Sequence, residues 1–389
     1  MPKWGETGTV SPAGTPPLRV GTRGSALATT QSGHVARRLE ELTGRDVELV
    51  RVRTDGDVLT GSLAQMGGTG VFVTALREAL LDGRCDVAVH SLKDLPTEPA
   101  PRLTVVTPER ENPRDVLCAR DGLTITTLPR GARVGTGSPR RAAQLRSVRP
   151  DLDVVDIRGN VDTRLARALG PDADLDAVVL AYAGLARLGR LDAVSEVVDT
   201  AIMAPAAGQG ALAVEVRTAS LDDPVLARAL HDLDHEPTRL AVLAERSLLA
   251  RLEAGCAAPV GAHAVVEDGE VVLTAVVARV DGAEQLTHSG RTTVPVGASS
   301  PDARDDAARA LGVRVADALL ADGAARLAPL RETGSGPGAR AGSDSGTVTG
   351  TAQATTRQAT DADAVPSPDR AVETAREQLR DGGYRGEAE

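Results

Sequence analysis

Two neighbouring charged residues, Lys93 and Asp94, are the first candidates for chemistry in this sequence. They follow an apolar run at residues 85–89, which predicts a buried strand, and α/β folds place their sites at the carboxyl ends of such strands. Only Lys3 and Lys93 are lysines among 44 basic residues, so the internal one points to a need for a compact ammonium. The alternative is an ordinary surface ion pair, and position alone leaves both open.

A second group of candidates lies at three predicted strand-to-helix junctions. Each junction combines glycine with a helix N-cap, namely Ser25, Ser138 or Asn160, and Pro139 suits the first position of its helix. A helix N-terminus binds anions, and a guanidinium pairs with a carboxylate. The arginines that accompany these caps are Arg23, Arg140, Arg141, Arg158 and Arg164. Solvated helix surfaces are the alternative, but recurrence at three junctions favours a ligand with several carboxylates or phosphates.

The charge balance restricts the kind of partner. The net charge is −10, from 44 Lys and Arg against 54 Asp and Glu, yet residues 130–167 hold nine arginines and four aspartates. Only Trp4, Phe72, Tyr182 and Tyr384 are aromatic. Nucleic-acid binding draws on clustered positive charge and aromatic stacking, so we expect no nucleic-acid partner and a local anion site instead.

Cysteine usage and hydropathy indicate the compartment. Cys85, Cys118 and Cys256 make an odd count, which suits a reducing cytosol better than a disulfide framework. The first 17 residues have no apolar h-region, and no run of 18 apolar residues occurs. We therefore expect a cytoplasmic protein without a membrane partner. Cys85 and Cys118 are predicted core residues, whereas spacing alone leaves Cys256 unassigned.

Several familiar motifs are set aside. Lys93 is followed by aspartate, so no Walker A motif is present. Residues 208–213 fit the dinucleotide pattern but precede a predicted strand instead of following one. His231 and His235 are four apart on a predicted helix without a third ligand, so we predict no metal site.

Alternating strands and helices must position these candidates. The alternation over residues 18–205 predicts two α/β lobes with mostly parallel sheets, and a strand at 212–216 could return to the first lobe. A long helix from residue 237, ending at Gly255, and hairpin signals at residues 268–269 and 281–282 predict an α+β third domain. The predicted boundaries are 1–17 for a disordered extension, 18–110 plus 206–228 for domain 1, 111–205 for domain 2, 229–330 for domain 3 and 331–389 for a disordered tail.

The sequence resembles the porphobilinogen deaminase, or hydroxymethylbilane synthase, family from about Leu18 to Leu327. The motifs that carry the resemblance are Gly21-Thr22-Arg23 with Ser25, residues 86–96, Gly135-Thr136 with Ser138 and Arg140-Arg141, Arg158-Gly159-Asn160-Val161 with Thr163-Arg164-Leu165, Gly208-Gln209-Gly210-Ala211, and residues 253–259 around the cysteine. Six ordered motifs over most of the chain make a specific match.

This resemblance implies two lobes like those of periplasmic binding proteins and a third domain that carries the cofactor. It implies a transferase that condenses four porphobilinogen molecules head to tail, releasing ammonia each time, and then frees hydroxymethylbilane for haem and porphyrin biosynthesis. The implied cofactor is a dipyrromethane held covalently by the thioether of Cys256. The implied partner is the small-molecule substrate porphobilinogen, and a monomer is favoured.

The resemblance also assigns roles to individual residues. Asp94 becomes the catalytic carboxylate, which stabilises the cation that forms as ammonia leaves. Cofactor binding is implied for Lys93, Ser25, Arg140, Arg141, Arg158 and Ser138, substrate binding for Arg23, Arg158, Arg164, Arg187 and Gln209, and a lid for Phe72. The chain departs from many family members at Gln65 and Thr69, where they carry lysines, and at Gly137, where they carry serine.

Two other hypotheses remain open at this point. A noncatalytic, two-lobed anion-binding protein would share the helix N-terminal anion sites, although it would not need Cys256 or a third domain. An inactive relative is the second alternative, if the departures at Gln65, Thr69 and Gly137 have removed turnover.

Overall fold

The computed structural model describes residues 16–52, 70–255, 258–294 and 301–330. The helices of these residues are α1 (Ala26–Thr43), α2 (Gly70–Leu81), α3 (Pro139–Val148), α4 (Val161–Leu169), α5 (Tyr182–Arg187), α6 (Pro224–Leu233), α7 (Glu236–Arg251), α8 (Pro301–Ala321) and α9 (Ala324–Leu327). The strands are β1 (Leu18–Thr22), β2 (Val47–Arg51), β3 (Val87–Ser91), β4 (Leu103–Val106), β5 (Asp115–Ala119), β6 (Arg133–Gly135), β7 (Asp153–Val155), β8 (Ala177–Ala181), β9 (Glu196–Val197), β10 (Leu212–Arg217), β11 (Val260–Glu267), β12 (Glu270–Ala278) and β13 (Gln285–Thr293).

The first lobe is built on a five-stranded sheet in the order β2-β1-β3-β10-β4. β1 pairs in parallel with β2 and β3, while β10 runs antiparallel to β3 and β4. Both faces of the sheet are covered, because Val87 and Val214 pack with α1 and α6, whereas Ala88 packs with Leu76 and Leu80 of α2. Burial on both faces explains the near-continuous apolar runs that predicted these strands.

The second lobe repeats that arrangement in the order β7-β6-β8-β5-β9. Here β5 is the reversed strand, antiparallel to β8 and β9, while β6 pairs in parallel with β7 and β8. Leu117 and Val179 face one core, and Cys118 and Val178 face the other, as the period of two in a strand requires. The expected pair of mostly parallel α/β lobes is confirmed.

Each lobe receives its reversed strand from a segment that crosses over from the other lobe. The chain crosses once between β4 and β5 and again between β9 and β10. The predicted return of the strand near residues 212–216 to the first sheet is confirmed, since Ala213 pairs with His90. Cys85 and Cys118 are buried, as predicted for core residues.

The third unit is a three-stranded antiparallel sheet, β11-β12-β13, packed against α7 and α8. Asp268 and Gly269 form the two-residue turn between β11 and β12 with φ of 50° and 79°, as their hairpin signal predicts. The expected α+β character of this unit is confirmed. The domain boundaries themselves stay a prediction.

The ends of α7 differ from the sequence expectation. The helix ends at Arg251, and the left-handed residue that follows is Glu253 (φ 48°), not Gly255. The amide of Ala254 donates to Leu249 O at 3.2 Å, which closes the helix end before the glycine is reached. At the other end His235 caps α7, so it does not share a helix with His231 of α6, and the single helix predicted for them is wrong.

Candidate active site

Lys93 and Asp94 lie on a short 3₁₀ turn, Leu92–Asp94, at the carboxyl end of β3. Leu92 and Leu95 fix the turn from below because their side chains are buried. The amide of Leu92 also donates to Ala211 O at 3.0 Å. Both leucines are buried, whereas Lys93 is exposed and Asp94 is half-buried. The two charged groups therefore lie at the carboxyl end of the strand, as the sequence predicted.

Lys93 links the first lobe to the second crossing segment. Its Nζ donates to Gln209 Oε1 at 3.3 Å. The side chain keeps solvent access, but the surrounding protein displaces part of its hydration, and this burial lowers its pKa to about 8. Asp94 and Asp115 oppose the shift, whereas Arg141 and Arg140 add to it. The ammonium is therefore close to two carboxylates and two guanidinium groups.

The carboxylate of Asp94 has no hydrogen-bond or ion-pair partner within the described part of the chain, apart from its charge interaction with Lys93. Its oxygen atoms are therefore available to a ligand. A carboxylate in this situation can accept a hydrogen bond from an N–H group or stabilise a nearby cation.

Asp115 is the buried centre of the site, and sequence reasoning did not find it. Its side chain is fully buried, with Arg140 Nη1 at 2.7 Å from Oδ2 and Arg141 Nε at 3.0 Å from Oδ1. Gln209 Nε2 donates to Oδ1 at 2.8 Å. Burial raises the Asp115 pKa, but the two arginines outweigh it and bring the value to about 2. Asp115 thus holds Arg140, Arg141 and Gln209 in one network.

Arg140 and Arg141 are more enclosed than a simple surface anion site would require. They are 4% and 6% exposed, and they also donate to Ala204 O at 2.5 Å and Val179 O at 3.1 Å. Arg140 Nε is nevertheless a buried donor without an acceptor among the described residues. An oxygen atom of a ligand would satisfy that donor. Direct cofactor binding by Arg140 and Arg141 stays a prediction.

The remaining predicted arginines fall into two groups. Burial lowers the pKa of Arg164, and Arg141 and Arg158 lower it further, which shows that these three cations converge. Arg158 pairs with Asp156 at 3.2 Å and remains half exposed. Arg187 instead donates to Gly210 O at 2.5 Å on the crossing segment, while Arg23 is half-buried beside the N-terminus of α1.

All three predicted N-caps are confirmed. Ser25 Oγ accepts from Ala28 N at 3.2 Å, Ser138 Oγ from Arg141 N at 3.5 Å, and Asn160 Oδ1 from Thr163 N at 2.8 Å. Both serine hydroxyls accept hydrogen bonds as caps. Their contact with a cofactor stays a prediction.

The departure at Gly137 has a structural counterpart. A Cβ atom at this position would lie 2.5 Å from the carbonyl oxygen of Ile157, so a serine would require the backbone between β6 and α3 to move. The junction packs its two segments more closely than a side chain allows.

Several predicted residues lie outside the described part of the chain. They are Cys256, Gln65, Thr69 and the side chain of Phe72. Among the described residues, no group of three or more His, Cys, Asp or Glu could hold a metal ion. The described helices include none that is long and apolar enough to span a membrane.

Helix α7 of the third unit supports the site from behind. Glu245 is fully buried and accepts from Gly208 N at 2.6 Å and Ala264 N at 2.8 Å. It also pairs with Arg110 Nη1 at 2.7 Å, and Arg110 Nε donates to Gln209 O at 2.7 Å. One carboxylate thus ties both crossing segments to the third unit.

Comparison with known proteins gives matches over all three units. The family model described as "Porphobilinogen deaminase, dipyromethane cofactor binding domain" matches residues 18–223, and the C-terminal domain model of the same family matches residues 239–321. A porphobilinogen deaminase of Leifsonia xyli is 57% identical, covering 81% of this chain and 95% of the relative. One from Micrococcus luteus is 52% identical, covering 79% and 93%.

Periplasmic binding proteins are among the solved structures that the chain matches. A substrate-binding protein of an ABC transporter from Coxiella burnetii has a TM-score of 0.34 at 18% identity, covering 59% of this chain and 94% of that one. A periplasmic binding protein from Salmonella typhimurium with high arginine specificity has a TM-score of 0.33 at 14% identity, covering 56% and 92%.

Proposed function

We propose that this chain, which belongs to the porphobilinogen deaminase family, performs the family reaction at the site formed by the Lys93–Asp94 turn and the arginines of the second lobe. The chain is a transferase of tetrapyrrole biosynthesis. It condenses four porphobilinogen molecules head to tail, releases ammonia at each step and yields hydroxymethylbilane. Family membership removes the noncatalytic anion-binding alternative.

The residues of the site fit a dipyrromethane cofactor. Its acetate and propionate groups need cationic partners, and the site offers the Lys93 ammonium, the unsatisfied Nε of Arg140 and the convergent guanidinium groups of Arg141, Arg158 and Arg164. Joined by a thioether to Cys256, the cofactor supplies the pyrrole on which the chain of substrates is built. Ser25 and Ser138 would assist by presenting the helix N-termini that they cap.

The substrate is proposed to bind beside these groups. Porphobilinogen carries one acetate and one propionate, and the residues that would bind them are Arg23, Arg158, Arg164, Arg187 and Gln209. Successive additions increase the number of carboxylates, which explains why one site needs so many arginines. Phe72 would act as a lid.

Asp94 would act on the reacting atoms. When ammonia leaves porphobilinogen, positive charge develops on the pyrrole, and a nearby carboxylate lowers the energy of that state. The free oxygen atoms of Asp94 carry this proposal, because every other carboxylate of the site network is already paired.

The first test combines mass spectrometry with one substitution. We expect the intact mass to show two linked pyrroles at Cys256, and an unmodified thiol in folded, active protein would overturn the cofactor assignment. We expect Asp94→Asn to retain the cofactor and the thermal stability while kcat falls at least about 100-fold, because the developing charge loses its partner. Near-normal turnover would refute the role of Asp94. Cofactor retention without turnover in the unmodified sequence would instead support the inactive relative.

We also propose that the protein works as a monomer in the cytoplasm. The two cysteines within the described residues are free and buried, which suits a reducing compartment. Light scattering of the purified protein at assay concentration checks the monomer, and a stable dimer would contradict it.

A further inference from the structure

The turn that carries Asp94 has few bonds of its own. Its one internal backbone bond runs from Leu95 N to Leu92 O at 3.1 Å. A three-residue 3₁₀ turn leaves carbonyl groups without helical partners, and its geometry is weaker than that of an α-helix. The position of the Asp94 carboxylate therefore depends on what binds the turn from outside.

Arg246 of α7 binds these carbonyl groups. Its Nη1 donates to Leu95 O at 3.0 Å and Leu92 O at 3.4 Å, and its Nη2 donates to Pro96 O at 2.5 Å. Among the described residues, Arg246 forms no ion pair; burial lowers its pKa, Arg77 lowers it further, and Glu215 opposes the shift. The guanidinium is thus committed to the backbone of the turn.

An apolar contact on the same helix face reinforces this attachment. Val242, one helical turn before Arg246, packs with Leu92 and Leu95 in a single buried cluster. Glu245, adjacent in sequence, binds the second crossing segment through Gly208 N. The helix therefore contacts the turn through both side-chain packing and hydrogen bonds.

We propose that Arg246 is a positioning residue that fixes Asp94 relative to helix α7 of the third unit. The inference rests on the proposed role of Asp94. Arg246 lies five residues before the end of α7, so this helix relates the Asp94 carboxylate to the third unit. A displacement of about 1 Å at a reacting group can reduce a rate about 100-fold.

The experiment compares Arg246→Met, Arg246→Lys and the control Arg251→Met in the full-length enzyme with its cofactor. Arg251 lies on the same helix and forms a surface ion pair with Asp317 at 2.7 Å. For Arg246→Met we expect a 10- to 100-fold lower kcat with KM changed less than about 3-fold. We also expect faster hydrogen exchange at Leu95 N. Arg246→Lys should lose less, and Arg251→Met should stay within about 2-fold of the unsubstituted enzyme.

A double substitution separates positioning from a general structural effect. If Arg246 acts through Asp94, adding Arg246→Met to Asp94→Asn should reduce kcat less than about 3-fold further. Two results would overturn the inference while leaving the Asp94 assignment intact. One is a loss of kcat in the double variant equal to the product of the two single-variant losses. The other is a kcat for Arg246→Met within 2-fold of normal. Normal turnover in Asp94→Asn alone would instead remove the proposed function. If Arg246→Met does not fold, Arg246→Lys carries the same comparison.

Discussion

At the residue scale, some arginines of this chain belong to the candidate site and others form structural ion pairs, and the sequence alone did not separate the two kinds. The excess of arginine in residues 130–167 suggested one positive surface. In the structure, Arg149 pairs with Asp151, and Arg167 pairs with Asp174, which lies outside residues 130–167. These two arginines are therefore neutralised by carboxylates. The caps and the lysine were predictable because they are local signals. Asp115 was not predictable, because it is a single charged residue beside an apolar run. Its partners, Arg141 and Gln209, are distant from it in sequence.

Lys93 should give cofactor assembly an alkaline limit. Because burial lowers its pKa from 10.5 to about 8, the ammonium that would bind a carboxylate is lost as the pH rises through about 8. Assembly of the cofactor by apo-protein with porphobilinogen should therefore slow over that range. Lys93→Arg should remove this limit, since guanidinium stays charged. The rate of assembly between pH 6.5 and 9.5 tests this, and an identical limit in both proteins would exclude Lys93 as its source.

Asp115→Asn should destabilise the protein by about 3–5 kcal/mol at neutral pH, because two buried guanidinium groups lose their carboxylate. The folded pKa of about 2 lies below the ordinary 3.8, so the unfolded chain binds more protons between these values. Stability is therefore present above pH 4 and is lost as pH falls toward 2. Asp115→Asn should flatten that fall.

Urea unfolding as a function of pH measures the Asp115 prediction. The control is Asp82→Asn, which removes an exposed pair with Arg84 at 3.4 Å and should cost less than about 1 kcal/mol. The alkaline limit of Lys93 should also move to lower pH in Asp115→Asn, since Asp115 helps to keep the ammonium protonated. Equal stabilities for the two variants would contradict the role of the buried carboxylate.

At the element scale, buried strands and capped helices were predictable, but the edge strands β4 and β9 were not. β9 has two residues and β4 has four, too few for periodicity to be visible, and their positions are set by β5 and β10 instead. The end of α7 was misplaced for a related reason. Glycine is the usual left-handed residue after a helix, but here tertiary contacts, including a bridge between Ala254 and Leu330, hold Glu253 in that conformation.

The contact between the two crossing segments should tolerate no side chain at Gly210. This residue has φ of 89°, and a Cβ atom there would lie 2.2 Å from Glu111 O. Gly210→Ala should therefore cost about 2–4 kcal/mol, from backbone strain and overpacking together. Gly189→Ala is the control, since φ is 66° but no atom lies near its Cβ. Denaturant unfolding compares them, and a cost no larger than that of the control would contradict the predicted clash.

At the scale of the whole molecule, repetition made the architecture predictable. The same alternation of strands and helices occurs twice, and both sheets have the same order with one reversed strand in the fourth place. The sequence could not reveal how the third unit attaches to the lobes. That attachment depends on Glu245 and Arg246, which look like ordinary polar positions of an amphipathic helix until their partners are known.

The late return of β10 to the first lobe has a consequence for synthesis on the ribosome. The second lobe takes all five strands from one continuous stretch, β5 to β9, and can close its sheet as soon as that stretch emerges. The first lobe must wait, because the place between β3 and β4 is filled by β10, which is made more than 100 residues after β3. During this interval the edges of β3 and β4 are unpaired and open to wrong partners. The lobe whose synthesis begins first is therefore the lobe that completes its sheet later.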